Sequence, residues 1–113
     1  MEEGSVVKIA FIQSDKTIKF RTALLLKKFH PPFNDWLACA ISGQLWTEVK
    51  SFDILLDEKH PDYLYSGLKY PGIIRLGYVT TISGNFIEGS IGRISKATIK
   101  KLQVNLAEYL IRK

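Results

Sequence analysis

Several residue types and sequence patterns are rare or missing in this 113-residue sequence, and each of them excludes certain classes of protein. Cys39 is the one cysteine, so an internal disulfide is excluded and a reducing, cytoplasmic compartment is expected. No apolar run reaches the roughly 18 residues of a transmembrane candidate, so we expect no membrane span. The beginning, MEEGSVV, carries no basic residue ahead of an apolar stretch, so no secretory signal peptide is expected.

The short motifs of common metal and cofactor sites are also missing. The sequence has no Gly-rich phosphate loop, no CxxC pair and no HExxH. His30 and His60 lie far apart, each directly before a proline, and both are expected in exposed loops. No partners for a Ser-His-Asp arrangement can be recognised around Ser42. We therefore expect neither a metal ion nor any other cofactor.

Acidic residues are outnumbered by basic ones. The 16 Lys and Arg against 11 Asp and Glu give a net charge of +5, which favours anionic partners, nucleic acid first. The basic residues are scattered along the chain, so composition alone does not locate a binding surface. With 46% hydrophobic residues, positions 1–113 are expected to form one domain with its own core.

Short apolar runs rich in β-branched and aromatic residues predict a protein built largely from strands. Proline, glycine and asparagine break the runs at 30–35 and at Pro71-Gly72, while 57–67 is predicted to be irregular or one helical turn. Segment 44–51 is ambiguous. Gly77 inside a strand pattern suggests either a bulge or the close approach of another backbone segment. The predicted strands are Ser5–Ile12, 20–29, 36–42, 52–56 and 73–81, with 36–42 central because it is almost wholly apolar.

A helix is predicted to start after Ser95, whose hydroxyl can cap the first turn while Ile94 and Ile99 form a hydrophobic staple. Several short strands followed by one long helix describe an α+β domain, most simply a small, strongly bent sheet or barrel with the helix on one side. The apolar stripe expected to dock the helix consists of Ile99, Leu102, Leu106, Tyr109 and Leu110.

Two polar residues border the apolar strands. Arg21 precedes the run Ala23 to Leu26, and a charged guanidinium cannot follow that run into a core, so it should stand at the rim. Ser42 ends the next strand, and neighbouring strands would bring both side chains to one rim. A cation beside a hydroxyl can hold a phosphodiester, and RNA supplies its own 2′-hydroxyl as nucleophile. The simpler alternatives are that Arg21 pairs with Asp15 and that Ser42 only caps a turn before Gly43.

The order of several short motifs resembles the PemK/MazF toxin family. The first is Gly4-x-Val6, and the second is Asp15 in the following loop. The third is Lys19-Phe20-Arg21 with the apolar run after it, and the fourth is a strand that ends in CAIS at Ser42. The second half is also similar: SGLKYPGIIRL at 66–76, TTI at 80–82 and IGRIS at 91–95, followed by an amphipathic helix. The resemblance covers nearly the whole chain.

This resemblance implies an SH3-like barrel with a C-terminal helix that forms a homodimer. The family members are sequence-selective, metal-independent endoribonucleases that cut single-stranded RNA, chiefly mRNA, and are neutralised by a small acidic antitoxin. The resemblance places the family's catalytic arginine on Arg21 and its catalytic threonine on Ser42. It also makes four further residues candidates for RNA binding: Asp15, Lys19, Thr22 and Arg75.

The sequence departs from the family pattern near the candidate site. Thr22 replaces a proline, Ser42 replaces a threonine, Gly43 replaces a serine, and Gly77-Tyr78 lacks the usual acid or glutamine. Three alternatives follow. The chain can be a non-catalytic binding module on the same barrel that grips a protein such as a gyrase subunit, a catalytically degenerate family member, or an SH3-like domain with neither role.

Overall fold

The structure is a computed structural model that describes residues 1–12 and 14–113, without the side chains of residues 11 and 12. Gln13, the predicted first residue of the β1–β2 loop, lies outside the described residues. Short 3₁₀ turns occupy Leu45–Thr47, Tyr63–Tyr65 and Gly84–Phe86. The strands and the helix are β1 Ser5–Ile12, β2 Ile18–Lys28, β3 Asp35–Ser42, β4 Ile54–Leu56, β5 Gly72–Ser83, β6 Ile87–Arg93 and α1 Lys96–Ile111.

The strands form one antiparallel sheet in the order β4-β5-β3-β2-β1-β6. The sheet curls into a half-barrel and carries α1 after its last strand, so the predicted α+β class with a bent sheet and a C-terminal helix is confirmed. β3 lies inside the sheet, between β5 and β2, as its almost wholly apolar sequence predicted.

The core lies on both faces of the sheet. Along β2, Leu24 and Leu26 belong to the cluster that also contains Leu102 of α1, whereas Ala23 and Leu25 belong to a second cluster around Trp36. Successive strand residues point to opposite faces, so an uninterrupted apolar run is the pattern that burial on both faces requires. The prediction that the run after Arg21 is buried on both faces is confirmed.

Helix α1 begins at the predicted position. The Ser95 hydroxyl oxygen accepts a hydrogen bond from the Thr98 backbone N–H at 3.3 Å, which satisfies a donor of the first turn. Ser95 also donates from its hydroxyl and its backbone N–H to the Asp62 carboxylate, at 2.9 and 3.1 Å. The helix start is therefore tied to the connection between β4 and β5.

The predicted apolar stripe of α1 is correct in its first half and wrong at its end. Ile99 and Leu102 are buried and Leu106 packs against them, but Leu110 is 72% exposed. Tyr109 is mostly exposed, although its ring lies 4.7 Å from the Phe52 ring between centroids. The helix continues past the edge of the core, so periodicity alone overestimated how far it is covered. Among the described residues, no helix is long and apolar enough to cross a membrane.

Candidate functional site

The sheet opens between β2 and β3 at one end. The β2–β3 ladder runs from Ala23 opposite Ala40 to Lys28 opposite Trp36. Beyond Ala23, residues 21 and 22 remain paired with β1, while residues 41 and 42 of β3 remain paired with β5. A cleft of about 790 Å³ lies at this opening. We call it the arginine cleft, and its lining includes Arg21, Thr22, Cys39, Ser42, Arg75 and Tyr78.

Arg21 stands at the rim of this cleft, as predicted from its position before an apolar run. Its side chain is exposed, and its backbone is held opposite Ile9 of β1. Within residues 1–12 and 14–113, no carboxylate forms an ion pair with it. The alternative pairing with Asp15 is absent, and the donors of the guanidinium face solvent, where a phosphate can bind in a bidentate manner.

Ser42 lines the same cleft from the end of β3. The side chain is half-buried, and its oxygen accepts a hydrogen bond from the Gln44 backbone N–H at 3.1 Å. The turn-capping role that sequence offered as an alternative is therefore present. The Ser42 hydroxyl can still bind a ligand, because a hydroxyl that accepts one hydrogen bond keeps its own proton to donate.

Arg75 enters the cleft from β5 through an irregularity in the sheet. It lies opposite Ala40, while the next paired residue, Val79, lies opposite Cys39, so residues 76–78 form a bulge. Of the two possibilities that Gly77 suggested, the bulge is observed, and among the described residues no close backbone approach is present at Gly77. The bulge brings Tyr78 to the cleft wall, where its ring centroid lies 4.3 Å from the Arg75 guanidinium carbon.

The Arg75 side chain has unused hydrogen-bonding capacity. Its Nε is buried and has no hydrogen-bond partner among the described residues. A buried donor without a partner is unfavourable by roughly 1–3 kcal/mol, so the Arg75 side chain would be stabilised by a shift that gives Nε an acceptor. Sequence reasoning named Arg75 but missed Tyr78, although an aromatic residue directly after a bulge-forming glycine was the available signal.

Cys39 lines the cleft, but its thiol is not suited to act as a nucleophile. The side chain is fully buried, and burial raises the pKa of its thiol far above the ordinary value, with the nearby Asp53 carboxylate adding to the rise. A thiol that stays protonated is a poor nucleophile. The sequence-based interpretation of Cys39 as a small buried residue agrees with this environment.

Of the predicted RNA-binding residues, Thr22 lines the arginine cleft, whereas Asp15 and Lys19 do not. Asp15 lies exposed in the β1–β2 loop, where its Oδ1 accepts hydrogen bonds from the Thr17 hydroxyl and backbone N–H at 2.6 and 3.0 Å. These bonds, the hydroxyl first, lower the pKa of Asp15. Lys19 is exposed on β2 opposite Phe11. Their proposed contacts with RNA stay predictions.

The electrostatic character of the cleft follows from these residues. Arg21 and Arg75 line it, and no Asp or Glu of the described chain does so. The part of the chain that the structure describes also contains no cluster of three or more His, Cys, Asp or Glu side chains placed to hold a metal ion. The cleft is thus a cationic surface with a hydroxyl and an aromatic ring, a combination suited to a phosphate next to a base.

Comparison with known proteins finds similarity at the level of structure. No protein-family model and no curated protein sequence matches the chain. Among solved structures, it is similar to an endoribonuclease in complex with its cognate antitoxin from a mycobacterial species, with a TM-score of 0.70 and 13% sequence identity. The match covers 97% of this chain and 94% of that one. At this identity the match establishes the shared fold, as the resemblance to PemK/MazF toxins predicted.

Proposed function

We propose that this protein is a toxin endoribonuclease that cuts single-stranded RNA, mRNA in particular, with sequence selectivity and without a metal ion. One observation carries the proposal. Arg21 and Ser42, assigned from separate strands by the sequence resemblance, line one cationic cleft where β2 and β3 stop pairing. The fold shared with an antitoxin-bound endoribonuclease supports the same class of activity. The single buried Cys39 is consistent with the expected cytoplasmic location.

The proposed reaction uses the nucleophile that RNA carries. The 2′-hydroxyl oxygen forms a bond to the adjacent phosphorus, and the bond from phosphorus to the 5′-oxygen breaks, leaving a 2′,3′-cyclic phosphate and a 5′-hydroxyl. The 2′-hydroxyl loses one proton and the departing oxygen gains one. Negative charge grows on the non-bridging oxygens between these events, and Arg21 stabilises it by donating hydrogen bonds there. Arg75 holds the same phosphate group through its positive charge, and the Ser42 hydroxyl donates one neutral hydrogen bond.

The cleft has a feature that favours a second candidate, a non-catalytic binding module. Within the described residues, neither a carboxylate nor an imidazole lines it, and Gly77 and Tyr78 stand where the family carries an acid or glutamine. Efficient proton transfer is ordinarily supplied by such groups. A chain with this cleft can therefore grip a protein target, such as a gyrase subunit, while cutting RNA slowly or not at all.

The proposal includes a small acidic antitoxin as partner. The solved endoribonuclease of the same fold is bound to its cognate antitoxin. In this chain, Arg21 and Arg75 face the cleft without an ion-pair partner among the described residues. Carboxylates of an acidic segment would compete with RNA phosphates for those cations, which explains how one partner can block the activity.

A homodimer is also part of the proposal, as the family resemblance implies. Trp46 is 83% exposed, and Leu45 and Val49 beside it are exposed as well. Exposed apolar clusters of this kind commonly mark protein interfaces. Sedimentation at micromolar concentration and moderate salt should give a symmetric dimer. A monomer under those conditions would contradict this part of the proposal.

The deciding experiment is cleavage of a long single-stranded RNA by purified protein, with and without EDTA. We expect cuts at a limited set of sequences, unchanged by EDTA, with cyclic phosphate and 5′-hydroxyl ends. Arg21→Ala should remove most of the cleavage, while Arg112→Ala, which deletes an exposed arginine outside the cleft, should leave it unchanged. If folded wild-type protein cuts no RNA, or if folded Arg21→Ala cuts at the wild-type rate, the catalytic assignment is wrong and the binding module becomes the leading candidate.

A further inference from the structure

A second cleft adjoins the arginine cleft at the opening between β2 and β3. The two share Thr22, Ile41, Ser42 and Gly43 as lining residues, so they meet at the predicted reaction centre. The second cleft has a volume of about 410 Å³, within the range of roughly 300–1,000 Å³ typical of small-molecule pockets. We call it the lysine cleft, because its remaining lining includes Lys8, Lys69 and Tyr70.

The charged and aromatic side chains of the lysine cleft are exposed and therefore accessible to a ligand. Lys8 is an exposed residue within the otherwise buried half of β1 and lies opposite Thr22. Lys69 is exposed, and Tyr70 is 80% exposed. Among residues 1–12 and 14–113, no ion pair forms with either lysine, and no Asp or Glu lines this cleft. Like the arginine cleft with Arg75 and Tyr78, the lysine cleft therefore combines cations with an aromatic ring, and here no cation is found over the ring among the described residues.

The segment that carries Lys69 and Tyr70 is anchored just before them. Ser66 is fully buried, and its hydroxyl donates to the Tyr63 carbonyl at 2.7 Å and accepts from the Leu68 backbone N–H at 3.2 Å. Gly67 has a φ of +75°, and a Cβ at that position would collide with the Ile91 backbone. The backbone leading into the cleft is thus fixed by packing, which reduces the ordering needed when a ligand binds.

We propose that the lysine cleft is a nucleotide-binding subsite next to the scissile phosphate, in which a base stacks on Tyr70 and Lys8 and Lys69 contact its phosphate. This inference rests on the proposed function. The base must be unpaired to reach the ring, so the subsite binds single strands and excludes duplex RNA. Stacking is tolerant of base identity, so the subsite adds affinity without base preference, leaving selectivity to the arginine cleft.

The subsite also sets the path of the strand. Arg21 and Arg75 line one cleft, Lys8 and Lys69 line the other, and the two clefts meet at Ser42, so a strand that passes through both brings successive phosphates to cations in each. A substrate must then extend beyond the scissile bond into the lysine cleft to bind with full affinity.

The test is binding of a short single-stranded oligonucleotide of mixed sequence with 2′-fluoro sugars, which lack the attacking hydroxyl. Measured by fluorescence anisotropy, Tyr70→Ala should weaken binding by roughly 5- to 150-fold, whereas Tyr70→Phe should keep the affinity because the ring remains. Lys8→Ala and Lys69→Ala should each reduce the slope of log affinity against log salt by about 0.7. Tyr65→Ala and Lys100→Ala are matched controls, since both residues are exposed outside the two clefts.

Each outcome decides the inference separately from the proposed function. If wild-type protein binds the oligonucleotide with this pattern but cuts no natural RNA, the lysine cleft is confirmed as a nucleotide-binding site and the ribonuclease proposal fails. If the Tyr70 and lysine variants bind as the wild type does while RNA is still cut, the subsite is wrong. If the variants lose affinity only for an acidic probe such as polyglutamate, the cleft is a surface for an acidic protein segment and the inference is overturned.

Discussion

The Asp53 carboxylate accepts a hydrogen bond from the backbone N–H of Leu76, at 3.0 Å from Oδ1 to the nitrogen. Its other oxygen accepts from the Val49 N–H at 2.9 Å. Asp53 is only 6% exposed, so a buried carboxylate joins the loop after β3 to the bulge of β5. Since the bulge separates Arg75 from Tyr78, Asp53 supports the wall of the arginine cleft from behind, although it does not line that cleft.

Replacing Asp53 should therefore destabilise the protein and loosen the cleft. Asp53→Ala leaves the buried N–H of Leu76 without an acceptor, which costs roughly 1–3 kcal/mol, while the partly buried N–H of Val49 loses its acceptor at a smaller cost. We expect a loss of that order or more in the free energy of unfolding measured with urea. Asp53→Asn keeps one acceptor oxygen and should lose less. Glu58→Ala, which removes an exposed carboxylate, serves as the control and should change stability little.

Sequence predicted the inner strands well because their patterns arise from burial. The apolar run after Arg21 and the nearly polar-free β3 are buried from both sides, and this is what their composition indicated. The predicted ends differ from the observed ones by two residues or fewer. β2 spans Ile18–Lys28 where 20–29 was predicted, and β4 spans Ile54–Leu56 where 52–56 was predicted. Strand ends are set by pairing with neighbours, which the local sequence does not encode.

The strand β6, Ile87–Arg93, was missed because its sequence lacks a burial pattern. It is an edge strand paired with β1, contains Gly89 and Gly92, and has no fully buried residue, since its positions are either partly buried or exposed. The Gly92 position is explained by packing, since a Cβ there would collide with the Ser66 backbone. Such a strand is specified by its neighbours, so alternation and β-branched content gave no signal.

The candidate site was predictable in part. Arg21 and Ser42 were found because each interrupts an apolar strand at its end, and the adjacency of β2 and β3 brings them to one cleft. The position of the Tyr78 side chain depends on a bulge whose length cannot be predicted from the sequence. Lys69 and Tyr70 depend on a connection whose course is set by the buried Ser66. Residues placed by irregular backbone were therefore the ones missed.

The docking of α1 yields a matched pair of substitutions. Leu102 is completely buried and Leu110 is 72% exposed, on the same helix. Leu102→Ala should lower the free energy of unfolding by about 2–5 kcal/mol, because it leaves a cavity in the core. Leu110→Ala makes the same chemical change at an exposed site and should alter stability by no more than about 0.5 kcal/mol. Urea denaturation of both variants measures the difference. Equal losses would mean that the end of the helix is covered in solution, as a dimer interface would require.

Graded substitutions at the cleft should separate charge from geometry. Arg21→Lys keeps a cation but loses the planar fork of donors, so it should recover little of the cleavage lost in Arg21→Ala, which we expect to be of order 10²–10³ in kcat. Ser42→Ala removes one neutral hydrogen bond of about 0.5–1.5 kcal/mol and should slow cleavage less. Single-turnover rates give these values, and thermal melting gives the folded fraction. If Arg21→Ala instead lowers the melting temperature and leaves the rate per folded molecule unchanged, Arg21 is structural.

The connection between Asp62 and α1 should make stability depend on pH. Burial is the largest single influence on the pKa of Asp62 and raises it, but hydrogen bonds from Thr98 and Ser95, together with the charge of His60, outweigh burial and leave the pKa below its ordinary value of 3.8. A carboxyl with a lowered folded-state pKa stabilises the fold above its unfolded-state value and loses that contribution as the pH falls through the folded-state pKa. Stability measured with urea should thus be retained near neutral pH and decline below about pH 4.

Asp62→Asn tests whether this carboxyl is responsible for part of the decline. The variant cannot ionise, and its amide directs N–H groups toward donors at the start of α1, so it should be less stable than the wild type near neutral pH. Its stability should then change less between neutral and acid conditions, and the two pH profiles should converge at low pH. Glu58→Gln, at an exposed position of the same connection, should follow the wild-type profile. Parallel profiles for Asp62→Asn and wild type would show that the titration of Asp62 contributes nothing to acid unfolding.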